Sequence, residues 1–221
     1  MATMKNVKCL ITAGATREYF DPVRFISNPS TGKMGTAIAK AALQAGWTPT
    51  LISGEGAVPP PEGVRAVRVV SAEDMLRACR AEFDKCDVLI MTAAVSDVRP
   101  KKRAADKIKK DEIDLRPELE RTPDILLELS KVKTRQYTVG FAAETRDVRR
   151  YAEGKIVRKK LDAIVANDVS APNAGFAVDT NKITMIFADG GIFESGFDSK
   201  ENLAREIVKK IGERLPALQG Q

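Results

Sequence analysis

The sequence predicts an α/β protein: a Rossmann-like parallel-sheet core with helices on both faces and a C-terminal β-hairpin extension. Three observations carry that prediction. Short apolar, β-branched runs alternate with helical stretches of about 10–15 residues, the pattern of a parallel sheet covered on both sides. Several of the runs end in glycine, alanine or asparagine, where such sheets hold their ligands. The 221 residues contain no repeat and no low-complexity linker, so one domain over 1–221 with a full core is expected.

Residues 7–12 read as the first strand, closed by Ala13-Gly14. The connection 15–27 is long for this position and Pro22 interrupts it; long connections here tend to carry function. The stretch 26–35, Ile26-Ser27-Asn28-Pro29-Ser30-Thr31-Gly32-Lys33-Met34-Gly35, leads into an alanine-rich helix over 36–45. Ser30 and Thr31 are placed to cap that helix, and Gly32 and Gly35 let backbone or ligand come close. The free N–H groups of the first turn suit an anion or an acyl group. A capped crossover helix with glycines that only pack on the sheet is the bland alternative.

Residues 48–53 and 64–70 read as strands around a loop holding Pro59-Pro60-Pro61. Ser71-x-x-Asp74 resembles a capping box and opens a helix to about residue 84. Residues 87–92 form a fourth strand that ends in Ala93-Ala94, an order that collects Gly14, Asn28, Gly54 and Ala93 on one rim. Residues 95–111, with Asp97, Pro100 and a run of lysine and arginine, read as a mobile basic loop. Ile113 and Leu115 suggest a short strand. Thr122-Pro123-Asp124 reads as a helix start, with Thr122 as cap, a first-turn proline and a carboxylate at the positive end of the dipole. A buried strand over 137–142 precedes a basic helix over 147–161, in which Lys155 and Lys159 lie four apart and share a face. A core strand over 163–166 ends in Asn167-Asp168. Segments 182–188 and 192–197 flank Asp189-Gly190-Gly191 as a hairpin, and 199–215 is a closing helix.

Composition removes several chemistries. The chain has no histidine, which excludes serine–histidine and cysteine–histidine nucleophile pairs and histidine-ligated metals. Catalysis must then rest on lysine, arginine, carboxylates, amides and backbone dipoles, the tools of electrostatic catalysis on phosphates. Cys9, Cys79 and Cys86 lack Cys-x-x-Cys spacing and read as core thiols. No apolar run approaches the ~20 residues of a membrane span, and the N-terminus lacks a signal-peptide core, so a cytoplasmic protein away from membranes is expected. The net charge of +6 is concentrated at 101–110 and 155–160, and aromatics are only 5% and not interleaved with those runs. That favours a polyphosphate pocket over a nucleic-acid surface. Gly32-Lys33 fails as a P-loop, because Ser27 and Met34 stand where glycine and a hydroxyl residue are required. No Gly-x-Gly-x-x-Gly follows the first strand, which disfavours a dinucleotide-dependent reductase.

Four separate segments resemble one family, the phosphopantothenate–cysteine ligases of coenzyme A biosynthesis. They are Ile11-Thr12-Ala13-Gly14-Ala15-Thr16-Arg17-Glu18 with Asp21-Pro22-Val23-Arg24; Ile26 to Gly35; Ala93-Ala94-Val95-x-Asp97 with Lys107-Ile108-Lys109-Lys110; and Pro123-Asp124-Ile125, Gly140-Phe141-Ala142-Ala143-Glu144-Thr145 and Ala166-Asn167-Asp168. Their order and spacing, over almost the whole chain, are specific where each motif alone is weak. Many bacterial members carry the domain behind a flavin-dependent decarboxylase. This chain looks like the ligase domain, either free-standing or excised from such a fusion, and no flavin is expected.

The resemblance implies that the carboxylate of 4′-phosphopantothenate attacks the α-phosphate of CTP, usually with Mg²⁺, and that L-cysteine then displaces CMP from the acyl-cytidylate. It implies nucleotide contacts at Met91, Thr92 and Ala93, at Asp97 and Lys107, at Pro123, Asp124, Ile125 and Leu126, and at Phe141, Lys155 and Lys159. Asn28 is expected to serve the acyl half of the reaction, with Ser30, Thr31 and Gly32 adding donors for the substrate. Asn28 and Lys107 are the expected catalytic residues, and direct metal ligands are not legible. Val98 follows Asp97 where the family commonly has an aromatic, and Pro29 follows Asn28 where other types occur. Family members are generally homodimers, which makes the hairpin 182–197 a candidate contact.

Overall fold

A computed structural model describes residues 6–144, 148–168 and 180–215. The chain begins with strand β1 (Lys8–Ala13), then a ribbon of β2 (Arg17–Tyr19) and β3 (Phe25–Ser27), helix α1 (Lys33–Gln44), β4 (Thr48–Gly54), β5 (Arg65–Val69), α2 (Ala72–Phe83) and β6 (Val88–Met91). A second ribbon, β7 (Val98–Pro100) and β8 (Leu119–Arg121), precedes α3 (Ile125–Ser130), β9 (Tyr137–Glu144), α4 (Val148–Lys159) and β10 (Ala163–Asp168). The C-terminal part holds β11 (Thr180–Asn181), β12 (Ile183–Phe187), β13 (Ile192–Glu194), β14 (Asp198–Ser199) and α5 (Lys200–Gly212).

Eight strands form one sheet in the order β13-β12-β10-β9-β6-β1-β4-β5. The six from β10 to β5 run parallel, and the hairpin β12–β13 adds an antiparallel edge. Strand alternation decides which face each residue serves. Cys9, Ile11 and Ala13 of β1, Val88 and Ile90 of β6, Val139 of β9 and Val165 of β10 pack under α1 and α5. Leu10, Leu89 and Met91 point the other way, to α2 and α3, and Ile164 and Ala142 pack with α4 on that same side. The helices match: α1 buries Met34, Ile38, Ala41 and Ala42, spaced for one face of a 3.6-residue period. Ile11, Ile38, Leu51 and Ile90 are fully buried, each contributing roughly 1.5–3 kcal/mol of burial.

Local structure departs from the sequence reading at four places. Helix α1 is capped by Gly32 in the left-handed region (φ 74°), with no side-chain cap from Ser30 or Thr31. A side chain at Gly32 would be strained and would meet the backbone N of Gly14 at 3.0 Å. At α3 the cap is Asp124, which accepts from Leu127 N, instead of Thr122; Thr122 donates its hydroxyl to Ser96 O instead. Ile113 and Leu115 form no strand; the strand in that region is β8, which pairs with β7. The basic segment is likewise not a free loop. Phe20 O accepts from Ala104 N, Asp21 accepts from Ile108 N at 3.2 Å, and Arg103 stacks on Tyr19. The capping box at Ser71 and Asp74 forms as the sequence suggests. Residue 147, expected in α4, lies outside the described residues.

Candidate functional site

At the C-terminal ends of β6, β9 and β10 lies a cavity of about 540 Å³. Its floor is the strand rim: Met91, Thr92 and Ala93, then Phe141 and Ala142, then Asn167. One wall is the start of α1 (Ser30, Gly32, Lys33) together with Asn181 and Lys200; the other is Pro123 to Leu126 at the start of α3, with Lys155 and Lys159 of α4. Asn28, Met34, Gly35, Ala94, Val95, Asp97, Arg121 and Thr122 complete the lining.

Side-chain stitches hold that rim together across long stretches of sequence. Thr12 accepts from Ala93 N at 3.2 Å, and Thr92 donates to Thr12 O at 2.5 Å. Buried Thr16 accepts from Ser96 N at 3.0 Å, while its carbonyl accepts from the Ser27 hydroxyl at 2.7 Å. Glu18, also buried, accepts from Ala72 N at 2.8 Å and so closes the N-terminus of α2. The Thr16-Arg17-Glu18 motif is therefore framework. Gly35 explains itself by distance: a Cβ there would lie 2.5 Å from Thr92 Oγ1 and 2.6 Å from Ala13 Cβ. Only glycine lets α1 sit this close to β1 and β6.

Asn28 donates its amide to two carbonyls, Ala94 O and Val95 O, each at 3.2 Å. Both N–H donors of the amide are thus engaged, and Oδ1 is left to accept. The same bonds clasp the loop before α1 to the exit of β6. On the opposite wall Asp124 caps α3 and pairs with Lys159 at 2.8 Å. Lys155 and Lys159 both reach the cavity, from one face of α4. Phe141 lines the floor and packs against the cluster under α1 and α5.

Two expected site residues stand apart. Thr31 is not in the lining; its carbonyl accepts from Val58 N at 3.0 Å. Lys107 is exposed and outside the lining, held beside the Ile108–Asp21 bond. Conversely, the cavity includes Asn167, Asn181, Lys33, Lys200 and Arg121, which sequence reasoning did not assign to a site. Asn167 Oδ1 is buried and has no hydrogen-bond partner among the described residues. A signal for Lys200 was present in the sequence: it is spaced with Leu203, Ala204 and Ile207 on the apolar face of α5, where a lysine is out of place.

The lining carries five basic side chains (Lys33, Arg121, Lys155, Lys159, Lys200) against two carboxylates (Asp97, Asp124), a field suited to a polyanion. Thiol chemistry is absent from it. Burial pushes the Cys79 and Cys86 thiols up to about 12, and all three cysteines sit in the core. Among the described residues no group of three acidic or cysteine side chains could hold a metal by itself, and no helix is long and apolar enough to cross a membrane.

Comparison with known proteins agrees with this layout. The chain is 47% identical over 211 residues to the coenzyme A biosynthesis bifunctional protein CoaBC of Bacillus subtilis, covering 95% of this chain and 52% of that protein. To the Escherichia coli K12 protein of the same name it is 45% identical over 193 residues, 85% of this chain and 47% of that protein. The chain thus spans about half the length of the curated relatives it matches. Among solved structures, the C-terminal domain of a CoaBC protein superposes with a TM-score of 0.83 at 44% identity, covering 97% of this chain and 100% of that one. A mutant of Cab2, solved in complex with phosphopantothenate-cysteine, shares the fold at a TM-score of 0.78 and 16% identity, over 98% of this chain and 90% of that one. A family profile matches residues 4–215, and the chain belongs to that family, the DNA/pantothenate metabolism flavoprotein C-terminal domain.

Proposed function

We propose that the protein joins 4′-phosphopantothenate to L-cysteine, with CTP as the activating nucleotide, in coenzyme A biosynthesis. In the first half-reaction a carboxylate oxygen of phosphopantothenate attacks the α-phosphorus of CTP, the bond to the bridging oxygen breaks, and pyrophosphate leaves with that electron pair. In the second the cysteine amine attacks the acyl carbon, CMP leaves, and the amine proton is lost. Neither half needs a histidine, a thiol nucleophile or a flavin.

The observation that carries this reading is the basic cavity on the strand rim, with Asn28 clasped to Ala94 and Val95 at its edge. The relatives named CoaBC support it, since 44–47% identity extends along nearly the whole chain. Lys155 and Lys159 offset nucleotide charge, and the backbone N–H groups at the start of α3 add donors. Met91, Thr92 and Ala93 contact the nucleotide along the floor, beside Pro123, Ile125, Leu126 and Phe141. Asn28 Oδ1, the acceptor left on that amide, receives an N–H of the attacking cysteine, while Ser30 and Gly32 hold the acyl substrate. Mg²⁺ typically binds through substrate phosphates with one or two carboxylates. Asp97 fits that role because it lines the cavity and is exposed; the ion would screen phosphate charge. Lys107 stands outside the cavity lining, and its part in the first half-reaction is proposed from the family resemblance alone. The protein works as a homodimer in the cytoplasm, with the β12–β13 edge as the contact.

The test mixes the protein and Mg²⁺ with 4′-phosphopantothenate, L-cysteine and each of the four nucleoside triphosphates, following pyrophosphate. Release is expected with CTP and only when phosphopantothenate is present. No release with any nucleotide would end the ligase reading.

A further inference from the structure

We infer that Arg121 is a phosphate-binding residue of the cavity, because its guanidinium is the positive charge there that the chain leaves for a ligand. The ligase reading supplies the phosphate, either the 4′-phosphate of the acyl substrate or the terminal phosphates of the nucleotide; the ribbon β7–β8 supplies the site. Four of the five basic side chains in the lining are already engaged within the chain. Lys159 pairs with Asp124 at 2.8 Å, and Lys33, Lys155 and Lys200 also have partners. Arg121 lines the same cavity, yet among the described residues its side chain makes no hydrogen bond, ion pair or ring contact.

The ribbon shows that this freedom is selective. Strand β8 buries none of its three side chains, so packing does not account for their identity. On one face of the ribbon charges are matched in pairs: Arg99 meets Glu120 at 2.7 Å and Glu73 at 3.7 Å, and Lys101 meets Glu118 at 3.2 Å. Alternation turns Arg121 to the other face, shared with half-buried Val98 and buried Pro100. The backbone under Arg121 is held on both sides, by its pairing with Val98 and by the Thr122 hydroxyl, which donates to Ser96 O. Asp97, whose carbonyl accepts from Thr122 N at 3.1 Å, stands at the root of the same ribbon and also lines the cavity. It forms no ion pair with Arg121. An acid and a base are thus fixed at one cavity edge with neither neutralising the other. A guanidinium so placed offers two parallel N–H donors to two oxygens of one phosphate. It surrenders no internal partner in doing so, whereas Lys159 must leave Asp124.

Titration calorimetry of the whole chain with pyrophosphate and with 4′-phosphopantothenate, each alone, tests this without requiring turnover. Pantothenate, the same acid without its phosphate, is the control ligand. Arg121→Gln should weaken at least one of the two phosphate ligands by about 10-fold, the loss of one charge-assisted contact. Loss for pyrophosphate assigns Arg121 to the nucleotide, and loss for 4′-phosphopantothenate assigns it to the acyl substrate; either bears the proposal out. Arg121→Lys should recover part of the loss, since it keeps the charge and gives up the fork. Pantothenate binding should not change. Arg121 is exposed, so its variants should melt with the parent. Lys101→Gln removes one charge from the opposite face of the ribbon and should leave all three ligands unaffected. The proposal is overturned if the parent binds neither phosphate, if Arg121→Gln binds both as the parent does, if pantothenate loses as much, or if Lys101→Gln loses as much. A parent without ligase activity, with the Arg121 effect intact, would instead reject the function and leave the site.

Discussion

Replacing Asp124 by asparagine separates two jobs held by one side chain. Asp124 caps α3 by accepting from Leu127 N at 3.1 Å, and it pairs with Lys159 at 2.8 Å. Asparagine caps a helix about as well as aspartate, so Asp124→Asn should keep the stability of α3. The ion pair is lost. Lys159 is 15% exposed but Asp124 is 41% exposed, so solvent screens the pair and its worth is about 0.2–1 kcal/mol. In the free protein that energy competes with nucleotide phosphate for Lys159. Removing it should tighten CTP binding by about 1.4- to 5-fold, measured by calorimetry at low salt, with Tm unchanged. Asp124→Ala, the control, forfeits the cap and should cost about 0.5–2 kcal/mol of stability. The reasoning fails if Asp124→Asn binds CTP more weakly at an unchanged Tm, because Asp124 would then be a ligand for the nucleotide and not a competitor for its lysine.

Three further outcomes are expected. Gly35→Ala pushes a methyl group to 2.6 Å from Ala13 Cβ; overpacking of this kind costs about 1–3 kcal/mol, at roughly 2–4 °C of Tm per kcal/mol for a chain of this size, and a melt within error of the parent would contradict it. Asn28→Asp sets a carboxylate against Ala94 O and Val95 O in place of two donors, so amide formation should fall with pyrophosphate release less affected; quench-flow showing both steps equally slowed would argue against a role in the second half-reaction. Burial of Asp21 would raise its pKa, but the Val23, Arg24 and Ile108 N–H groups and the Arg24 guanidinium together hold it below 3.8. A depressed carboxylate contributes stability above its ordinary pKa and loses it as pH falls through the folded value. The stability gap between the parent and Asp21→Asn should therefore shrink on acidification below pH 3.8, whereas a gap independent of pH would show that the charge is irrelevant.

The parallel core was legible because burial on both faces leaves an unmistakable apolar run, as at 8–13 and 88–91. The ribbons β2–β3 and β7–β8 were not, since three-residue strands beside Pro22 and at Pro100 give no periodicity to read. The caps failed for a related reason. Ser30, Thr31 and Gly32 all fit the start of α1, as Thr122 and Asp124 both fit α3, and only tertiary packing selects among them. Most nucleotide residues taken from the resemblance do line one cavity. Lys107 does not, because Asp21, remote in sequence, decides where its segment lies. Asn181 carried no local signal, and Asn167, although it ends a strand inside one of the matched motifs, reads as readily as a turn residue.

The stitches across the rim have a kinetic consequence. Thr12 with Thr92, Thr16 with Ser96 and Asn28 with Ala94 join residues separated by 80, 80 and 66 positions. Closing loops of that length is entropically costly and slow compared with forming helices. The cavity therefore cannot exist before β1 and β6 are paired, and a partly folded chain holding α1 and β4 would have no place for a nucleotide. Ligand binding during refolding should lag behind helix formation, so CTP serves as a reporter of the last contacts made and not of the first.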